Sequence, residues 1–181
     1  KEYKKGRKPL RKNYEVEGMS EQSEKENMIW QQRILMEMLN EMPIIQLMLE
    51  SVEADDIISY IVQHPEYSEW QKVIVSSDKD FFQLCNESTI LYRPIQKQVL
   101  NTKRIIDDYG IHPTNFALAR AIVGDKSDNL PGVPAIGIPT VAKRLSFLSE
   151  GKTYTISEVN EYCKLTDSNL KAYKNIIDNV D

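Results

Sequence analysis

The pattern of hydrophobic and polar residues changes once along the chain. Before residue 102, short apolar runs such as "IIQLML" (44–49) and "VIVSS" (73–77) alternate with helical patterns such as "EADDIISYIVQH". Runs of this kind are typical of strands buried on both faces of a parallel sheet. Strands that alternate with helices predict an α/β fold with a mostly parallel sheet flanked by helices.

Smaller elements complete this pattern. "MIWQQRILMEMLNEM" has helical spacing and ends before Pro43, where proline interrupts a helix. "TILYRP" predicts a third strand after a short helix at "DFFQLC", and "KQVL" either pairs with this strand or extends it. From Thr102 onward five segments have helical spacing. We therefore predict a core domain at residues 1–101 and a helical region at residues 102–181.

Composition limits the class of protein. With 181 residues, 41% of them hydrophobic and 28% charged, the chain has the composition of an ordinary globular domain. No apolar run approaches the roughly 18 residues needed to cross a bilayer. Cys85 and Cys163 lie far apart without a metal-ligand spacing, which favours reduced thiols in a cytoplasmic protein.

The charge is distributed unevenly. Residues 1–12, "KEYKKGRKPLRK", contain seven Lys and Arg and one Glu, a balance of +6, so in a chain of net charge −4 the remainder carries −10. This arm places Tyr3 beside Lys4, Lys5 and Arg7, where the cations are suited to clamp a phosphate and the ring to stack on a base. A solvated basic terminus explains the same composition without a ligand.

Seven carboxylates form three clusters, each following a predicted strand or an apolar helix. They are Glu53, Asp55 and Asp56; Asp78 and Asp80; and Asp125 and Asp128. The carboxyl ends of parallel strands border one crevice, so the first two clusters can face one site. In the third cluster, the three-residue spacing points both carboxylates the same way on a helical turn.

Carboxylates held close together favour a bound cation. Their mutual repulsion costs on the order of one kcal/mol or more per pair, and a divalent ion removes it. An all-oxygen set favours Mg²⁺ or Mn²⁺ over zinc, and so many acids suit a two-metal site for phosphoryl chemistry. Each cluster alone also fits a structural role, in a helix's first turn, as an N-cap or in an Asx turn.

Glycine and proline punctuate a tight connection between two helices at "NLPGVPAIGIPTVAKRL". Gly132 and Gly137 permit close turns, and Thr140 stands near the start of the second helix. Backbone N–H groups at such a helix start bind a phosphate without reading sequence, and Lys143 and Arg144 add positive charge. A plain interhelical loop is the alternative.

In their order and approximate spacing these motifs resemble the 5′-nuclease (flap endonuclease) family, which includes bacteriophage 5′-exonucleases, phage enzymes of the RNase H type and the 5′-nuclease domain of bacterial DNA polymerase I. The matching motifs are "YKKGR", "VEADD", "SSDKDF", "YRP" and "GDKSDNLPGVPAIG". The resemblance implies a PIN-like α/β domain with an arch over the site, followed by a helical region with a helix-hairpin-helix motif.

The resemblance also implies roles for individual residues. The seven carboxylates would bind two Mg²⁺ ions, for which Mn²⁺ can substitute, or position the water, and Lys4 and Arg7 would contact the scissile phosphate. The hairpin would bind duplex phosphate, often together with K⁺. The residues expected to contact DNA are Tyr3, Lys5, Arg120, Lys126, Gly132, Gly137, Thr140, Lys143 and Arg144.

The implied function is a structure-specific 5′-nuclease of replication and repair. It would act as a cytoplasmic monomer, in a bacterial cell or a phage-infected host, on flap, nicked, 5′-overhang or primer-containing DNA and on RNA–DNA hybrid. The family's first strand, with its earliest Asp ligand, would precede Lys1. Two alternatives are a DNA-binding fragment that is inactive without those ligands and a PIN-type ribonuclease, which the hairpin disfavours. Ala135 and Pro139 depart from the family's usual Gly and Lys.

Overall fold

The structure, a computed structural model, describes residues 21–167 and 169–179. These residues fall into two units, one at residues 21–54 and the other from residue 55 onward. Among the described residues, no helix is both long enough and apolar enough to cross a membrane.

The first unit consists of a helix and an irregular segment. Helix α1 (Glu21–Asn40) confirms the predicted helix and its end before Pro43, although it begins earlier than the apolar pattern indicates. Gln46 fastens the following segment to the end of α1, because its Nε2 donates hydrogen bonds to Met36 O (3.2 Å) and Asn40 Oδ1 (2.7 Å).

The predicted strand at residues 44–49 is wrong. The segment is irregular and pairs with no strand among the residues that the structure describes. Ile45 and Met48 are each 87% exposed. An apolar run becomes a strand only when a neighbouring strand pairs its backbone groups, and the run itself carries no information about that neighbour.

The second unit contains a three-stranded sheet in the order β1 (Lys72–Val75), β2 (Thr89–Arg93) and β3 (Gln98–Leu100). β1 and β2 are parallel, from Lys72 opposite Thr89 to Val75 opposite Tyr92. β3 returns antiparallel to β2, since a short turn between two strands permits only that direction. The α/β class is therefore confirmed, while the described sheet is mixed rather than mostly parallel.

The helices from residue 54 onward occur in the order that the sequence predicts. They are α2 (Ala54–Gln63), α3 (Thr102–Tyr109), α4 (Phe116–Val123), α5 (Ile138–Arg144), α6 (Ile156–Asp167) and α7 (Lys171–Ile177). A two-stranded ribbon, β4 (Gly124–Asp125) and β5 (Leu130–Pro131), connects α4 to the segment before α5. Short 3₁₀ helices lie at Pro65–Tyr67, Asp80–Leu84, Pro113–Asn115 and Ser146–Ser149.

One hydrophobic core joins the sheet to the later helices. The Phe82 ring, which follows β1, lies 5.2 Å from the Tyr109 ring and 5.0 Å from the Phe116 ring, measured between centroids. Leu91 of β2 and Leu100 of β3 are fully buried in the same cluster. Each such side chain contributes about 1.5–3 kcal/mol on burial. Residues on both sides of the predicted boundary at 101 thus share one core.

Candidate functional site

The first acidic cluster lies at the start of α2. Asp55 and Asp56 occupy the first turn of this helix and are exposed. Negative charge at this end complements the helix macrodipole. Asp55 and Asp56 can therefore stabilise the helix, bind a cation at its start, or both.

The second cluster lies in the turn after β1. The backbone N–H of Asp78 donates to Ser76 Oγ (3.1 Å), and that of Asp80 donates to Asp78 Oδ1 (3.0 Å). Arg93 Nη2, at the end of β2, donates to Ser77 O (3.2 Å) and fixes the same turn. These bonds hold both carboxylates at the carboxyl end of β1.

The third cluster is not on a helical turn, so that prediction is wrong. Gly124 has a φ of +73° and ends α4, and the chain then enters the β4–β5 ribbon. Asp125 Oδ1 accepts hydrogen bonds from the backbone N–H of Ser127 (2.7 Å) and from Ser127 Oγ (2.6 Å). Asp128 is buried within the loop of the ribbon. An Asx turn therefore positions Asp125, as the alternative interpretation of this cluster describes.

Arg120 of α4 joins the second cluster to the third. Its Nε lies 3.3 Å from Asp80 Oδ1, and its Nη2 donates to Asp125 Oδ2. Burial and the neighbouring Asp78 raise the pKa of Asp80, and these two effects outweigh the opposing effect of Arg120. The pKa of Asp125 is lowered to about 2, chiefly by the hydrogen bond from Ser127 and further by Arg120. One guanidinium thus holds carboxylates from sequence positions 80 and 125 together.

The donor set fits a hard divalent cation. Asp78, Asp80 and Asp125 offer only oxygen ligands, which Mg²⁺ and Mn²⁺ prefer. Within the described part of the chain, however, no three His, Cys, Asp or Glu side chains lie close enough to hold one metal ion. Between Asp80 and Asp125 the structure places the Arg120 side chain instead.

Gly132 and Gly137, at the two ends of the predicted hairpin, differ in their surroundings. A Cβ on Gly132 would lie 2.0 Å from Val123 O, so the fold itself requires glycine there. Gly137, the N-cap of α5, has an ordinary extended φ of −127°. A Cβ there would meet nothing nearer than Pro139 Cδ at 3.8 Å. Its carbonyl accepts from the N–H groups of Thr140 (2.8 Å) and Val141 (3.0 Å). The fold therefore leaves open space beside Gly137.

Ala135 is strained, because its φ of +61° lies in the left-handed region. That conformation costs a non-glycine residue roughly 1–2 kcal/mol. We expect Ala135→Gly to raise the free energy of unfolding by about 0.5–1 kcal/mol, as measured by urea denaturation. Ala121→Gly, at an exposed position inside α4, is the matched control and should lower it by about 1 kcal/mol. Equal decreases in the free energy of unfolding of the two variants would contradict backbone strain at Ala135.

The remaining predicted site residues divide into two groups. Tyr3, Lys4, Lys5 and Arg7 lie outside the described residues. The other cations are in the second unit: Lys126 is exposed in the loop of the ribbon, and Lys143 and Arg144 are in the last turn of α5.

Sequence reasoning missed Arg93 and Ser127. The serine two residues after Asp125 was a usable signal, because Asp-x-Ser favours an Asx turn. Arg93 is buried, with its guanidinium 5.6 Å from the centre of the Phe82 ring. It stands in "YRP", a motif that carried no assigned role.

The chain is similar to known proteins. Its residues 1–110 match the family model described as 5′-3′ exonuclease, N-terminal resolvase-like domain. Over 106 residues the chain is 40% identical to the 5′-3′ exonuclease of Buchnera aphidicola subsp. Schizaphis graminum, covering 59% of this chain and 37% of that protein. Over 112 residues it is 30% identical to the thermostable DNA polymerase I of Thermus aquaticus, covering 62% and 13%. The chain thus spans less than half the length of these curated relatives.

The fold is similar to solved bacteriophage structures. The T5 D15 protein co-crystallised with metal ions has a TM-score of 0.70 and 17% identity, covering 91% of this chain and 60% of that one. A T5 D15 flap endonuclease in a pseudo-enzyme–product complex with DNA and metal ions has a TM-score of 0.70 and 16% identity, covering 90% and 58%. At these identities the likeness establishes the fold, and it confirms the expected fold class.

Proposed function

This chain belongs to the 5′-3′ exonuclease family, and on that premise we propose that it forms the nuclease core of a structure-specific 5′-nuclease. The reaction would be metal-dependent hydrolysis of phosphodiester bonds in flap, nicked or primer-containing DNA. The observation that carries the proposal is that Arg120 joins Asp80, of the second acidic cluster, to Asp125, of the third.

The metal would be held by carboxylates. Asp80 and Asp125 are the candidate ligands that Arg120 joins. Glu53, Asp55, Asp56, Asp78 and Asp128 are candidates by their place in the family's motifs. Two divalent ions bound there would supply activation of water and stabilisation of the leaving oxygen. The T5 structures named above contain metal ions, which supports this part of the proposal.

The chain's own residues would prepare the site for that chemistry. Asp78 holds the Asp80 backbone through its Oδ1. Ser127 holds Asp125 in its ionised form, because both hydrogen bonds from Ser127 favour the carboxylate. Lys4 and Arg7 would offset charge on the scissile phosphate. Asp80 and Asp125 would then have their orientation before the substrate arrives.

The hairpin before α5 would grip duplex DNA by its backbone. Open space beside Gly137 permits close approach of a phosphate, and backbone contacts of this kind do not read sequence. Lys143 and Arg144 would add charge, so that binding weakens steeply as salt rises. Specificity would then be for the shape of the DNA.

Gly137→Ala tests this grip. We expect it to weaken binding to flap DNA about tenfold, because a methyl group would keep the phosphate from a backbone N–H. Stability should hardly change, since the φ of −127° suits alanine and the nearest side-chain atom is 3.8 Å away. Fluorescence anisotropy in Ca²⁺ gives the affinity, and urea denaturation gives the stability. Unchanged affinity would contradict the assignment.

A cleavage assay tests the proposed function as a whole. Flap DNA with Mg²⁺ is incubated with this chain and, in parallel, with a version extended at its N terminus by the first strand of a family relative. Cleavage by either supports the nuclease. If the extended version binds flap DNA without cutting it, the alternative of a non-catalytic DNA-binding protein is favoured. Equal cleavage of single-stranded RNA and flap DNA would instead favour a PIN-type ribonuclease.

A further inference from the structure

We propose that Arg120 is a built-in counter-cation of the acidic site: in the metal-free protein it holds Asp80 and Asp125 together, and it competes with the divalent ion for their oxygens. The inference rests on the proposed function, because it concerns the same carboxylates. It assigns to Arg120 a positioning role in addition to the DNA contact expected from its place in the family.

The geometry supports a shared position for the guanidinium and a metal ion. Arg120 bonds Asp80 through Nε and Asp125 through Nη2, so its planar fork spans two carboxylates that are 45 residues apart in sequence. The Arg120 and Asp125 side chains are only 25% and 22% exposed, so water screens their pairing weakly. Asp80, at 46% exposed, is the more open partner.

Electrostatics makes the guanidinium and a metal ion alternatives. Without a cation, Asp78, Asp80 and Asp125 would repel one another. A divalent ion bound to the same carboxylates would repel the adjacent guanidinium. Arg120 occupies one oxygen of each carboxylate, and Ser127 occupies the other oxygen of Asp125, so the ion and Arg120 would compete for Asp125. Metal binding should therefore release Arg120 from at least one carboxylate and leave it available for a phosphate.

The test is Mn²⁺ binding to this chain without DNA. We expect Arg120→Gln to raise Mn²⁺ affinity about tenfold, since it removes both the competitor and the repulsion. The matched control is Arg104→Gln, which removes the same charge from an ion pair with Asp108 outside the acidic clusters (2.8 Å) and should leave the affinity unchanged. Calorimetry or the spin signal of free Mn²⁺ gives the dissociation constants.

Thermal unfolding provides the second measurement. In EDTA, Arg120→Gln should melt below the wild type because the carboxylates are uncompensated, and Mn²⁺ should raise its Tm by more than that of the wild type. Arg120→Lys keeps the charge but cannot bridge both carboxylates, so its affinity should lie between those of the wild type and the Gln variant. If Arg120→Gln folds poorly in EDTA, Arg120→Lys provides the comparison with the wild type.

The outcomes separate this inference from the proposed function. A Mn²⁺ affinity that falls or stays the same in both Arg120 variants overturns the competition, even if the wild type cleaves flap DNA. Higher affinity in Arg120→Gln supports the competition, even if no chain cleaves. Absence of Mn²⁺ binding in every variant overturns the inference, and cleavage by the extended version then decides the function separately.

Discussion

Asp78→Asn should lower the single-turnover rate of flap cleavage at least about a hundredfold while DNA binding survives, because charge that holds a metal contributes several kcal/mol to the transition state. The substitution is nearly isosteric. Asparagine keeps a side-chain oxygen that can accept the hydrogen bond from the Asp80 N–H, now 3.0 Å from Asp78 Oδ1. The turn after β1 should therefore keep its shape. The loss of cleavage rate would then reflect the missing negative charge of Asp78.

The matched control for Asp78→Asn is Asp108→Asn. Asp108 also carries a carboxylate, but it pairs with Arg104 on α3, so its substitution should leave the rate within about twofold of the wild type. Binding is measured with Ca²⁺ in place of Mg²⁺. Parallel loss of binding and cleavage in Asp78→Asn would contradict the division between metal-holding carboxylates and DNA-holding hairpin.

Gly132→Ala should destabilise the chain by at least about 3 kcal/mol or prevent folding. The added methyl group would clash with backbone atoms, which cannot move aside as a flexible side chain can. Its Cβ would lie 2.0 Å from Val123 O and 2.5 Å from Gly124 N. Both are backbone atoms at the end of α4, so neither can move without breaking the β4–β5 ribbon. Urea denaturation measures the loss.

Gly137→Ala is the control for this substitution, since it adds the same methyl group where space is open. A stable Gly132→Ala chain with an intact ribbon would show that the close contact is not needed. Where Gly132→Ala still folds partly, Mn²⁺ affinity should fall as well, because Asp125 belongs to the displaced ribbon.

Local patterns in the sequence predicted much of the fold. The strands β1 and β2 and the helices α2 to α7 follow from apolar periodicity and from the Gly and Pro residues between them. The prediction of a strand at residues 44–49 was wrong. The run has the apolar composition of a strand, but no strand among the described residues pairs with it. Asp125 and Asp128 were placed on a helical turn because spacing alone does not reveal that Gly124 adopts a left-handed φ.

Side-chain contacts between distant residues were beyond the sequence. Arg120 sits in the apolar segment "FALARAIV", where nothing local indicates Asp80 as its partner. Asn115 is fully buried, and its Nδ2 donates to the carbonyls of Leu148 (3.2 Å), Glu150 (3.1 Å) and Lys152 (2.9 Å). Such bonds depend on tertiary folding, which brings segments more than 30 residues apart into contact.

The contact of Gly132 with Val123 and Gly124 has a consequence for where such an enzyme would cut. Asp125 of the acidic cluster directly follows Gly124, and Val133 of the hairpin directly follows Gly132, so both are attached to this point of close backbone contact. No flexible linker separates the two, so their spacing is set by the backbone itself. A duplex bound at the hairpin would then present its phosphates to the carboxylates in constant register. The cut would fall a fixed number of nucleotides from the phosphate that the hairpin binds.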